Sequence, residues 1–153
     1  MSTRSYIIIE KKRESGEYYY EGVYCHWDGY PSNNGQILFD HYQDREKVEK
    51  LISLGDISGL AEEIETTDST HSFDTPAKGV TIFYGRDRGE EEVGPREIDL
   101  EEHANDIFIE YTYIYTLRNE WLCFAYGHLD RIARLADVLK DESILYPEEE
   151  EES

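Results

Sequence analysis

Ser5-Tyr6-Ile7-Ile8-Ile9-Glu10-Lys11, the turn Arg13-Glu14-Ser15-Gly16-Glu17, and Tyr18-Tyr19-Tyr20-Glu21-Gly22-Val23-Tyr24-Cys25-His26-Trp27 form the stretch that decides the fold. The first run is short and β-branched. The second is aromatic, and a glycine-bearing turn joins them. Together they read as a β-hairpin. A second hairpin is expected from Phe108–Leu117 (FIEYTYIYTL) and Trp121–Tyr126 (WLCFAY), with Arg118-Asn119 as the tight turn. In the first of these, Tyr111, Tyr113 and Tyr115 have strand spacing and share one face, which suits core packing. Val80–Tyr84 (VTIFY) reads as a lone fifth strand.

The segments between the strands read as helices. Asn33 or Asn34 is a candidate cap for a helix bearing Ile37, Leu38, His41 and Tyr42 on one face. Asp44 is a good N-cap for the next, with Val48, Leu51 and Ile52 as its apolar stripe and Gly55 where it should stop. A short helical piece is expected over residues 58–65. Asp99 with Glu102 fits a capping box for a helix to about Ile107. His128–Lys140 gives the clearest helical period, through Leu129, Ile132, Leu135, Ala136 and Leu139, with Asp130 and Arg134 paired at i,i+4. Thr66–Gly79 and Gly85–Glu97 read as exposed polar loops. The expected class is α+β: a mixed, mainly antiparallel sheet of about five strands, two hairpins plus one strand, covered by three to four helices. The expected organisation is one domain over residues 1–140 and a flexible acidic tail over 141–153.

Charge narrows the function. The 153 residues carry 35 acidic and 15 basic side chains, a net charge of −20. Seven of the acids lie in the tail, so 28 acids against 15 bases remain in the rest. Residues 86–110 hold ten acids and three arginines, and residues 56–74 hold six acids and no Lys or Arg. Direct binding to nucleic acid or to an anionic membrane is disfavoured, because both need Lys and Arg to neutralise phosphates. Two readings remain: a solvated acidic surface, of which a high-salt host is one version, or an acidic face made for a basic partner. Twenty charges match about ten base pairs of duplex, roughly 34 Å of axis. A domain of this size is roughly 35–40 Å wide. Duplex-like charge density is therefore within reach if the acids gather on one side. The densest candidates are Glu90, Glu91, Glu92, Glu97, Asp99, Glu101 and Glu102.

Two further segments bear on chemistry. In Cys25-His26-Trp27-Asp28-Gly29-Tyr30-Pro31, strand alternation puts His26 and Asp28 on one face, as an oriented base or half a metal site. No second cluster of metal-ligand spacing accompanies them, and no cofactor motif occurs. The structural alternative is a turn that packs the chain into the following helix. In Tyr84-Gly85-Arg86-Asp87-Arg88-Gly89, two arginines suit a phosphate or carboxylate. The competing reading is a turn whose arginines pair with neighbouring acids. Joined, His26, Trp27, Asp28, Tyr30, Arg86 and Arg88 would make a pocket for a nucleotide-like anionic metabolite. An enzyme using His26 and Asp28 is a third class. Cys25 and Cys123 read as two buried thiols in a reducing cytoplasm, with no signal peptide and no membrane-spanning run. The hairpin edges leave room for a homodimer.

The pattern YCHWDGYP, followed by Gly35, Leu38, His41-Tyr42 and Leu54-Gly55-Asp56-Ile57-Ser58, and then by YGRDRG, resembles a group of small proteins from bacteriophages and prophages. The likeness covers roughly the first 90 residues, and more loosely the second hairpin. It brings no assigned activity. It implies a viral or mobile-element setting, in which compact acidic proteins resemble inhibitors of host defence, including DNA-mimic anti-CRISPR and anti-restriction proteins.

Overall fold

The structure, a computed structural model, describes residues 2–147. The first hairpin forms as expected: β1 (Ser5–Lys12) pairs antiparallel with β2 (Tyr18–Cys25). A π-helical turn over Pro31–Gly35 leads into α1 (Gln36–His41) and α2 (Arg45–Ser53). Asp44 caps α2 by accepting from Glu46 N–H, and Val48, Leu51 and Ile52 are buried along its inner face. Then follow β3 (Ile57–Gly59), β4 (Ile82–Phe83), α3 (Tyr84–Arg88), β5 (Arg96–Ile98) and α4 (Leu100–Ala104). The second hairpin is β6 (Tyr111–Tyr115) with β7 (Trp121–Ala125), followed by β8 (Ala133–Arg134) and α5 (Leu135–Lys140).

The class is α+β with a mixed sheet, but the described residues hold eight strands and five α-helices. The order is β4-β3-β2-β1-β6-β7-β8, with β5 also paired to β2. β1 lies parallel to β6, and β2 parallel to β3; the other pairings are antiparallel. The three unexpected strands, β3, β5 and β8, have two or three residues each. Pairing to a neighbour makes them, and no local pattern announces so short an element. They also cover the hairpins' outer edges, which removes part of the basis for an edge-to-edge dimer.

Both sheet faces are covered. Ile7, Ile9, Val23, Tyr113 and Trp121 belong to the main core under α1, α2 and α5. Ile8, Ile114 and Phe124 form a second core on the opposite face, beneath Leu100, Ala104 and Leu129. β1 is therefore sealed on both sides, which explains a run of three isoleucines where a half-exposed strand would alternate. The tyrosine stripe does pack in the main core, and each hydroxyl finds a partner: Tyr113 donates to Gly29 O at 2.5 Å, Tyr115 donates to Gln43 O at 2.6 Å, and Tyr111 meets the Tyr146 hydroxyl at 2.7 Å. Both cysteines are free and buried. Burial pushes the Cys25 thiol up to about 11, against the opposing hydrogen bond from Asn34.

Several expectations are corrected. Residues 58–65 form no helix; they begin in β3 and run on irregularly. The helix after Asp99 stops at Ala104. The long helix over His128–Lys140 breaks into a 3-10 turn (Leu129–Arg131), β8 and α5. Its apparent stripe fails because the segment crosses the sheet edge: Leu129 packs on the second core, whereas Leu135 and Val138 are buried in the first. Arg134 consequently pairs with Asp137, not with Asp130. Asn34 does not cap α1; its amide turns inward to Ser5, Cys25 and Trp27. Gly85–Glu97 is not one exposed loop, since it contains most of α3 and the start of β5. The tail expected from Asp141 begins with a 3-10 turn over Glu142–Leu145 that buries Leu145. Its last six residues, 148–153, lie outside the described residues. No helix among those described is long and apolar enough to cross a membrane.

Candidate functional site

The acids after Arg96 gather around a cleft. β5 lies along β2 with Glu97 opposite Glu21 and Ile98 opposite Tyr20. Asp99 then ends the strand and caps α4, accepting from Glu101 N–H at 3.0 Å and Glu102 N–H at 3.2 Å. The cap fixes Glu101 and Glu102 in the first turn, where negative charge suits the helix N-terminus. Facing them are Glu17 and Tyr18–Tyr20, at the start of β2, where the pairing with β5 ends at Tyr20. The cleft measures about 540 Å³ and carries five carboxylates, from Glu17, Glu97, Asp99, Glu101 and Glu102, against three tyrosines.

Two of these carboxylates share a basic partner. Arg13 bonds Glu17 at 3.3 Å and also Glu97, with its guanidinium 4.1 Å from the Tyr19 ring centroid. Asp99, Glu101 and Glu102 make no ion pair among the described residues. Carboxylates beside aromatic faces attract ammonium and guanidinium groups twice over, by charge and by ring quadrupole.

The other three predicted acids, Glu90, Glu91 and Glu92, do not line this cleft. They follow α3, upstream of β5, and Glu90 pairs with Arg88 at 3.8 Å. Between the two groups stands Arg96, whose Nη2 donates to both Asp56 carboxylate oxygens at 2.9 and 2.8 Å and whose Nη1 donates to the Tyr6 hydroxyl at 3.0 Å. The acidic stretch is therefore two patches with an arginine between them, not one continuous row. Glu17 and Tyr18–Tyr20 were missed by sequence reasoning, because only the β2–β5 pairing brings them to the acids.

The CHWDGYP segment builds a corner. β2 ends at Cys25, and Asp28 turns to a φ of 55°, so strand alternation stops before His26 and Asp28 can share a face. His26 instead meets the Tyr24 hydroxyl through Nδ1 at 2.6 Å, with the Trp27 ring edge-on at 4.6 Å. Burial and the nearby Arg4 both lower the His26 pKa. Asp28 O accepts from Asn34 N–H at 3.2 Å, and Gly29 N–H donates to Thr3 O at 2.9 Å, which stitches the corner to the N-terminus.

The YGRDRG segment is α3, and its arginines are occupied. Arg86 donates to Ile64 O at 2.6 Å, Thr81 O at 3.0 Å and Asp87 at 2.9 Å. Asp87 also accepts from Phe83 N–H at 2.8 Å. His71 Nδ1 accepts from Ala77 N–H at 2.9 Å, and Nε2 lies 3.4 Å from Asp87. Both ring nitrogens are thus engaged. Arg88 rests 4.8 Å from the Phe73 ring centroid. This cluster staples the polar excursion of residues 64–81 to the sheet, and Arg86 is not free to line a pocket with His26 and Trp27. Among the described residues no group of three or more His, Cys, Asp or Glu is placed to hold a metal.

Burial raises the Asp87 pKa, but hydrogen bonds from Arg86 and from Phe83 N–H outweigh it and hold the carboxyl below its ordinary value. A depressed carboxyl stabilises the fold fully above its unfolded value, about pH 4, and that contribution disappears as pH falls through the lower folded value. The hydrogen-exchange protection factors of residues 64–81, corrected for the intrinsic rate at each pH, should therefore hold from neutral pH down to about 4 and fall below it. Asp87→Asn should remove that acid step and cost about 1–3 kcal/mol at pH 7 by leaving Arg86 half-satisfied. An unchanged acid profile in the variant would contradict the staple.

No protein-family model matches the chain, and neither a curated protein nor a solved structure matches it.

Proposed function

We propose that this chain is a small, non-catalytic, acidic binding protein of viral or mobile-element type. It acts in the host cytoplasm and inhibits a defence or nucleic-acid-binding complex, offering carboxylates where that complex expects phosphates. This is the anti-CRISPR and anti-restriction mode of DNA mimicry. The partner is the basic surface of a host protein or nucleoprotein. The observation that carries the reading is the cleft in which Glu17, Glu97, Asp99, Glu101 and Glu102 converge beside three tyrosines. The net charge of −20 adds long-range steering toward a basic surface. The metabolite pocket drawn from His26, Trp27, Asp28, Tyr30, Arg86 and Arg88 is not carried further, because Arg86 is bonded to the backbone of residues 64 and 81.

The test is affinity capture from host lysate at low and high salt, with mass spectrometry of the bound fraction. A nucleic-acid-binding assembly retained at low salt and released at high salt supports the proposal. Retention of partners without basic surfaces, unaffected by salt, refutes it.

A further inference from the structure

The end of the sheet opposite the acidic cleft carries a cluster of exposed aromatic and aliphatic side chains. The cleft lies where Tyr18 and Tyr20 pair with Lys12 and Glu10; the opposite end is where Ser5 pairs with Cys25. Five of the eight large apolar side chains exposed among the described residues belong to segments that meet there: Ile107 at 87%, Phe108 at 62%, Tyr126 at 55%, Trp27 at 45% and Tyr30 at 38%. Their segments are tied to one another. Gly29 N–H bonds Thr3 O, Glu110 N–H bonds Arg4 O, and Tyr126 N–H bonds Glu110 O. Arg4 lies in the middle, 5.9 Å from the Phe108 ring centroid and beside Tyr24 and His26. Arg4 has no ion pair on its own chain among the described residues, while Asp28 and Asp106 stand exposed on the same rim.

We propose that this aromatic rim is the interface of a two-fold dimer, so that its occupant is a second copy of the chain. Area supports a second copy. The exposed parts of the five side chains amount to roughly 500–600 Å² per protomer, taking about 200 Å² for each whole side chain. Doubled, this clears the roughly 1,000 Å² expected of a biological interface. Charge supports it as well. Each protomer repels its copy, and pairing at the rim sends the two acidic clefts to opposite ends of the assembly. β1 spans about 26 Å, so the clefts end some 50 Å apart, several times the roughly 8 Å screening length of physiological salt. A two-fold axis also lets Arg4 of each copy meet the other's rim carboxylates, so each such contact is made twice. Trp, Tyr and Arg are the side chains that dominate interface energetics.

Salt gives the dimer a signature opposite to that of the proposed host complex. Raising salt from about 10 mM to physiological strength shortens the screening length from roughly 30 to 8 Å, which weakens the repulsion between two acidic chains and tightens the dimer, whereas it loosens a basic partner. Sedimentation equilibrium of the full chain should show a dimer whose dissociation constant falls as salt rises. Phe108→Asp and Ile107→Asp, both on an exposed loop, should each weaken it about tenfold or more. Circular dichroism of these variants should match the unsubstituted chain. A monomer at every concentration and salt overturns the proposal, as does a dimer that both variants leave intact. Neither result touches the acidic cleft, whose own test is the loss of basic partners at high salt.

Discussion

Exchanging Glu101 and Glu102 for lysine will slow the association of an arginine-rich peptide about tenfold at low salt, with little effect on dissociation of whatever complex still forms. Both side chains stand in the first turn of α4, and Asp99, which caps that turn, is left in place. Folding should therefore survive, less the roughly 0.6–2 kcal/mol that two carboxylates contribute at a helix N-terminus. The control is Glu91→Lys with Glu92→Lys, which changes the net charge equally on the other side of β5. If total charge alone governed association, the two double variants would match. The cleft geometry predicts the larger effect at Glu101 and Glu102. Stopped-flow fluorescence at two or three salt concentrations separates the two outcomes, and the difference should vanish as salt rises.

Gly55→Ala will lower stability by about 3 kcal/mol, from about 1–2 for the left-handed backbone and about 1–3 for the clash. Gly55 has a φ of 88°, and a Cβ built there would lie 2.3 Å from Val93 O. That oxygen accepts from Asp56 N–H at 2.7 Å, and Asp56 in turn holds Arg96 at the start of β5. The methyl group would push the residue 93 segment outward, and with it the strand that forms one wall of the cleft. Thermal unfolding should drop by about 6–12 °C for a chain of this size. Gly94→Ala serves as the comparison, since nothing lies within 4 Å of its added Cβ. An equal loss at both positions would contradict the account.

The sequence revealed some elements well, and the reason is local. Asp44, Gly55 and Asp99 declare helix ends through hydrogen bonds and backbone angles that close within three residues. The two long hairpins declare themselves by composition. Where tertiary pairing decides, the local signal fails. β5 has three residues and exists because β2 has an open edge beside it. The period in residues 128–140 mimicked a helix, yet its leucines serve two different cores. The same limit applied to the site. Glu97, Asp99, Glu101 and Glu102 were legible as a charge cluster, but Glu17 and Tyr18–Tyr20 come from 80 residues upstream in the chain, across the sheet. Arg86 looked like an anion ligand because a side chain's backbone partners are invisible in a sequence; two of its partners are carbonyls at residues 64 and 81.

The central claim is that basic groups enter the cleft between the start of β2 and α4. The most direct measurement is a titration of the isotope-labelled chain with an arginine-rich peptide, followed by backbone amide shifts. The account predicts early, salt-sensitive shifts at residues 17–20 and 97–102, with residues 90–92 responding later and less. Shifts spread evenly over the acidic surface, or strongest at residues 90–92, would contradict it.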